Sequence, residues 1–145
     1  MLRYESSVDI NKPPLGVFPY LTERDKQRLW SDVPMTPLTE GDMRTGSRFE
    51  VSFGMGPMKA TVGIELTEVV IGSIMAWKSF SGPIGWQGEY RLEALDGGGT
   101  RLSQKGNLEF HGTWRLLEPL AGREIKSAEI KELEKLKAVA EAAHD

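Results

Sequence analysis

The chain has 145 residues, 39% of them hydrophobic and 27% charged, and a net charge of −3 with its Lys and Arg dispersed. That balance suits a globular domain with enough chain to bury a core, and it lacks the basic face or stripe that a nucleic-acid partner demands. Cysteine is absent, which excludes disulfides, thiolate nucleophiles and Cys-ligated metals.

The opening MLRYESSVDI alternates polar and apolar residues and lacks the apolar core of a signal peptide. No run reaches the ~18 apolar residues of a membrane span. The expectation is a cytoplasmic protein without a membrane span, organised as one domain over residues 1–145.

Residues 2–10 place Leu2, Tyr4, Ser6, Val8 and Ile10 on one side, the pattern of a strand with one buried face. Asn11-Lys12-Pro13-Pro14 stops it, because proline gives no donor to a ladder and presets a helix start. Residues 15–21 then read as a short helix with Leu15, Phe18 and Leu21 on one face, kinked or ended early by Pro19. Residues 24–30 form a second short helix, anchored by Leu29 and Trp30. Residues 33–38 suit a short strand, and their two prolines place it at an edge.

From Gly46 onward, turn signals separate a series of strands. Residues 48–53 carry Phe49, Val51 and Phe53 on one face, and Gly54-Met55-Gly56-Pro57 reads as a hairpin loop. Residues 59–69 put Ala60, Val62, Ile64 and Leu66 together, with Glu68 in the same parity. Residues 74–80 set Met75 and Trp77 against Ile74, Ala76 and Phe80. Residues 85–95 oppose Trp86, Tyr90, Leu92 and Ala94 to Gln87, Glu89, Arg91 and Glu93. Asp96-Gly97-Gly98-Gly99 is the clearest turn in the chain. Residues 100–110 then align Leu102, Gln104, Gly106, Leu108 and Phe110.

The segment after Trp114 predicts a helix from about Trp114 or Leu117 to Ala143. Pro119 is tolerated only in its first turn. Ile125, Ala128, Leu133, Leu136 and Ala140 form the apolar side, and the Glu/Lys run over residues 123–141, Glu129 included, reads as the solvated side. About 25 helical residues extend roughly 37 Å, enough to lie across a small sheet. Such an arrangement tends to enclose space rather than a solid core.

This order of elements resembles the START-related SRPBCC superfamily, the polyketide cyclase/dehydrase and lipid-transport-like proteins with the birch-pollen-allergen-like fold. The resemblance rests on the opening strand followed by Pro13 and VFPYL, on Trp30 closing the short helices, and on TGSRFEV entering the meander. IELTEVVIGSIMAWKS, YRLEALDGGGTRLSQKG and LLEPLAGREI leading to LKAVAE complete it, over nearly the whole chain. It implies an α+β helix-grip fold: a curved antiparallel sheet of about seven strands wrapped around a long C-terminal helix. Two short helices after the first strand would close one end of an internal cavity. It implies no single chemistry, since the superfamily includes lipid carriers, hormone receptors, aromatase/cyclases and coenzyme-Q-binding proteins.

The residues themselves offer few catalytic constellations. His144 is penultimate, and His111 sits beside Gly112 where the last strand meets the helix; an exposed or structural histidine is the ordinary reading of each. Two distant histidines and no cysteine give no metal set, and no cofactor is expected. The two Gly-rich turns lack the strand-to-helix setting of a phosphate cradle. The aromatics say more. Phe49, Phe53, Trp77, Trp86 and Tyr90 all fall on sheet strands, where they are either packed core or the wall of an apolar ligand cavity of several hundred Å³. Gln104 is the best polar candidate among them, because a buried amide needs partners; Glu68 is a weaker one. Gly106, inward beside Gln104, is expected to mark space that an added ring would fill.

Three functions remain open on these residues. The favoured one is non-catalytic binding or carriage of a small hydrophobic or aromatic molecule. A polyketide cyclase/dehydrase-like enzyme is the alternative, with Tyr90, Gln104, Arg48 and His111 as its polar groups. The third is a protein-interaction module. The sequence leaves the oligomeric state open.

Overall fold

A computed structural model describes residues 1–31, 33–55 and 57–143; His144 and part of the loop expected at Gly54 to Pro57 lie outside them. Seven strands form one antiparallel sheet: β1 (Leu2–Ile10), β2 (Met35–Pro37), β3 (Arg48–Met55), β4 (Met58–Val70), β5 (Ile74–Ser81), β6 (Ile84–Ala94) and β7 (Thr100–Phe110). Their spatial order is β1-β7-β6-β5-β4-β3-β2, a meander whose last strand takes the first as its outer neighbour. The alternation read from the sequence holds in β1, in β7 and in β6 as far as Leu92, and fails at the end of β6, where Ala94 is exposed. The β6–β7 turn closes with both Gly97 and Gly98 at positive φ, which only glycine adopts without strain.

β4 departs from the simple pattern. Register shifts at Gly63/Ile64 and Leu66/Glu68 break its pairing with β5, and an extra residue changes which face the following side chains take. Thr67 and Glu68 are therefore both exposed, and Glu68 leaves the inward set in which its parity placed it.

Three four-residue helices follow β1: α1 (Pro14–Val17), α2 (Pro19–Thr22) and α3 (Arg24–Gln27). Pro19 divides the first expected helix, since its ring fits only at a helix start. Phe18 and Leu21 are buried as expected, but Leu15 and Leu29 are 69% and 52% exposed. A single turn of helix points too few side chains inward to keep every leucine from water. Trp30 locks this layer down: its indole N–H donates to the Tyr20 carbonyl at 2.8 Å, and its ring meets Tyr90 edge-on at 6.3 Å.

A 3₁₀ turn (Gly112–Leu117), held by buried Trp114, leads into α4 (Glu118–Ala142), with Pro119 in its first turn. Leu133, Leu136 and Ala140 face the sheet and are 1% exposed or less, each leucine gaining roughly 1.5–3 kcal/mol from burial. Ala128, expected with them, is exposed, and Glu129 takes the inward position instead. The far end of α4 is pinned to the β1–α1 corner. Asn11 N–H donates to Glu141 Oε2 at 2.8 Å, Lys12 Nζ reaches the Ala143 carbonyl at 3.1 Å, and Lys137 Nζ bonds the Asp9 carbonyl.

Candidate functional site

The concave face of the sheet does not pack solidly against α4. A cavity of about 260 Å³ remains between them. Its floor comes from alternate residues of β5 and β6: Met75 and Trp77, then Trp86 and Tyr90. Phe49 and Val51 of β3, with Ile64 and Leu66 of β4, form the next wall. Residues of α3 and the edge strand β2 surround the mouth, where Arg28, Pro34 and Pro37 are exposed. Glu129 and Glu132 of α4 complete the lining.

The aromatic rings hold one another in place. Trp77 lies 5.7 Å from Trp86 at 75° and 5.1 Å from Tyr90 at 45°, separations at which edge and tilted contacts are favourable. Beneath them, cross-strand pairing sets Tyr4, Gly106, Gly88 and Trp77 in one row from β1 to β5. The glycines leave room for the flanking rings to lie down on the sheet. A Cβ at Gly88 would stand 2.6 Å from Trp77 Cζ2, and one at Gly106 would stand 2.4 Å from the Tyr4 ring. Trp86 Nε1 donates to the hydroxyl of Tyr4 at 2.9 Å, and burial pushes that hydroxyl's pKa up. The inward side of Gly106 is therefore occupied by Tyr4, and the space expected there for an added ring does not exist.

Of the candidate residues, Phe49, Trp77, Trp86 and Tyr90 reach the cavity wall. Phe53 is half-buried behind it, with its ring 5.5 Å from that of Trp86. Gln104 is 1% exposed and lies outside the lining. Its amide nitrogen donates to Ser6 Oγ and to the Glu129 backbone carbonyl, each at 3.0 Å, so it joins β1, β7 and α4. Arg48 points to the opposite face, paired with Glu65 at 2.8 Å and stacked over Phe80 at 4.4 Å. His111 is exposed ahead of the 3₁₀ turn.

The residue that sequence reasoning missed is Glu129. It is 6% exposed and lines the cavity, and burial, then the neighbouring Glu132, pushes its pKa up to about 8. Burial likewise raises the Tyr90 hydroxyl, with the Glu129 charge as the next cause. One signal was present in the sequence: Glu129 stands one helical turn from both Ile125 and Leu133. Among the described residues no group of three or more His, Asp and Glu side chains gathers as a metal site requires. No helix among them is long and apolar enough to cross a membrane.

A family model described as polyketide cyclase/dehydrase and lipid transport matches residues 1–141. No curated protein sequence matches the chain. Among solved structures, TTHA0849 from Thermus thermophilus is similar at 17% identity and a TM-score of 0.77, with 99% of each chain covered. Ara h 8.0201 is similar at 13% identity and a TM-score of 0.70, over 97% of this chain and 98% of that one. The Zhui aromatase/cyclase from Streptomyces sp. R1128 is similar at 15% identity and a TM-score of 0.69, over 96% and 93%. At such identities the likeness is one of fold.

Proposed function

The chain belongs to the polyketide cyclase/dehydrase and lipid transport family, and on that premise we propose that it binds a small hydrophobic or aromatic molecule between the sheet and α4. The observation that carries this reading is the cavity itself. It is walled by Phe49, Trp77, Trp86 and Tyr90, with aliphatic residues of β3 and β4 beside them. Its 260 Å³ lies just below the ~300–1,000 Å³ common for ligand pockets, so the ligand is small. Phe53 and Gln104 support the wall from behind without touching the ligand. Of the four groups on which a cyclase would draw, Tyr90 lines the cavity while Gln104, Arg48 and His111 stand outside its lining, which favours binding over catalysis. Residues 1–145 act here as one ligand-binding domain.

Native mass spectrometry of protein purified from its own host tests the reading, because a retained ligand adds a defined mass. An aromatic compound that enters the cavity raises the melting temperature by mass action, since it binds only the folded state. Val33→Trp adds a ring at the half-buried mouth and is expected to abolish that shift while the protein stays folded. Full binding in the folded variant places the site elsewhere.

A further inference from the structure

Glu129 interrupts an otherwise apolar helix face. On the sheet side of α4, Ala121, Leu133, Leu136 and Ala140 are buried carbon, while the position one turn before Leu133 carries a carboxyl that lines the cavity. Glu132, three residues on, lines the same cavity from the same helix. Among the described residues no Lys or Arg pairs with Glu129. The titratable groups that face it are Glu132 on α4, Tyr4 on β1 and Tyr90 on β6. Arg24 and Arg28 line the mouth: Arg24 Nη2 donates to the Thr39 carbonyl at 2.8 Å while its buried Nε has no hydrogen-bond partner among the described residues, and Arg28 lies 3.7 Å from Asp25. An uncompensated carboxyl in an apolar wall is costly when ionised, so in the empty cavity it keeps its proton near neutral pH.

We propose that Glu129 is the counter-ion for an ammonium group, so that the cavity selects a small aromatic amine over a neutral molecule of the same shape. This rests on the reading of the cavity as the ligand site. Three features of the lining favour a cation. The rings of Trp77, Trp86 and Tyr90 line the cavity with centroid separations of 5.7 and 5.1 Å, and an aromatic ring carries over its face the negative quadrupole that attracts an ammonium. The Glu129 carboxylate, once paired, accepts charge-assisted hydrogen bonds in a water-poor site. The Glu132 charge already opposes ionisation of Glu129, and a carboxylate ligand would add to that repulsion where a cation would not.

The exchange has a proton balance. The amine enters as ammonium, Glu129 releases its proton to solvent, and an ion pair replaces a neutral acid. Amine affinity therefore rises with pH by up to about tenfold per unit while Glu129 is protonated in the empty protein, and levels off above about 8. A neutral ligand takes part in no such exchange.

The test is calorimetry with 2-(2-naphthyl)ethylamine and 2-(2-naphthyl)ethanol between about pH 6 and 8, on the wild type and on Glu129→Gln. The expected result is an amine preference of about tenfold or more at the upper pH, an amine affinity that climbs with pH, and an alcohol affinity that stays flat. Glu129→Gln should lose the preference. If that variant fails to fold, the wild-type pH series decides alone. Equal affinities with no pH dependence overturn the counter-ion and leave the cavity reading intact. Binding of neither compound overturns both.

Discussion

The side-chain amide of Gln104 donates to the backbone carbonyl of Glu129 at 3.0 Å, a direct hydrogen bond between the middle of β7 and the middle of α4. It sets the height of the helix above the sheet at the point where the helix turns its one buried carboxyl to the cavity. The same nitrogen also reaches Ser6 Oγ, so a single amide ties β1 and β7 to the helix. Gln104→Leu removes both bonds at little change in volume, and should cost about 1–3 kcal/mol in urea unfolding. A loss below a few tenths of a kcal/mol would show that the helix is held by its apolar contacts alone.

Stability should fall as pH rises from about 4.5 to about 8. Burial raises the Glu129 carboxyl from its ordinary value of 4.5 to about 8 in the fold, so the folded state binds the extra proton across that window. The contribution is complete below the unfolded value and is lost as pH rises through the folded one. Glu129→Gln cannot ionise. It should therefore match the wild type near pH 5 and exceed it near pH 8 by on the order of a few kcal/mol, read from urea midpoints. A gap that is the same at both pH values would contradict burial of a neutral acid.

The apolar side of α4 gives a sharper contrast. Leu133→Asp and Leu136→Asp each put an unpaired charge against the sheet and should destabilise by about 3–5 kcal/mol or prevent folding. Glu134→Ala, on the exposed side, should stay within about 0.5 kcal/mol of the wild type. Similar melting temperatures for all three would mean the helix faces are reversed.

Gly106→Ala should destabilise by about 1–3 kcal/mol, because its Cβ meets the Tyr4 ring at a distance no real contact adopts. Pairing it with Tyr4→Ala should cost less than the two changes summed, since the clash disappears with the ring. Simple additivity would show that the ring does not lie over this glycine.

The strands and their order were legible because β7 alternates throughout, β6 alternates as far as Leu92, and the Gly97-Gly98 turn fixes their register. The long helix was legible from its apolar spacing and from Pro119 at its start. What escaped depended on tertiary structure. The register shifts in β4 are invisible to parity, which is why Glu68 was grouped with Leu66. Leu15 and Leu29 look like anchors, but single-turn helices bury only their innermost residues. Gly106 looked like open space because its cross-strand neighbour Tyr4 lies at the other end of the sheet-forming sequence. Glu129 was hidden in a run of Glu and Lys, although steps of about 100° per residue put it nearer the Leu133–Leu136–Ala140 face than Ala128. A charged residue on that face is what a solvated-helix reading discards and a ligand site uses.

Entry of an aromatic ligand into the cavity over β5 and β6 can be read from the indole N–H signals of the chain's four tryptophans. Trp77 and Trp86 line the cavity; Trp30 and Trp114 do not. In a two-dimensional ¹H–¹⁵N titration with 2-naphthol, with each signal assigned by single Trp→Phe variants, the Trp77 and Trp86 signals should move in a saturable way and that of Trp114 should stay fixed. Saturable movement of Trp114 with Trp77 and Trp86 unchanged would put the ligand outside this cavity, and no saturable movement of any signal would mean that the cavity takes no such ligand.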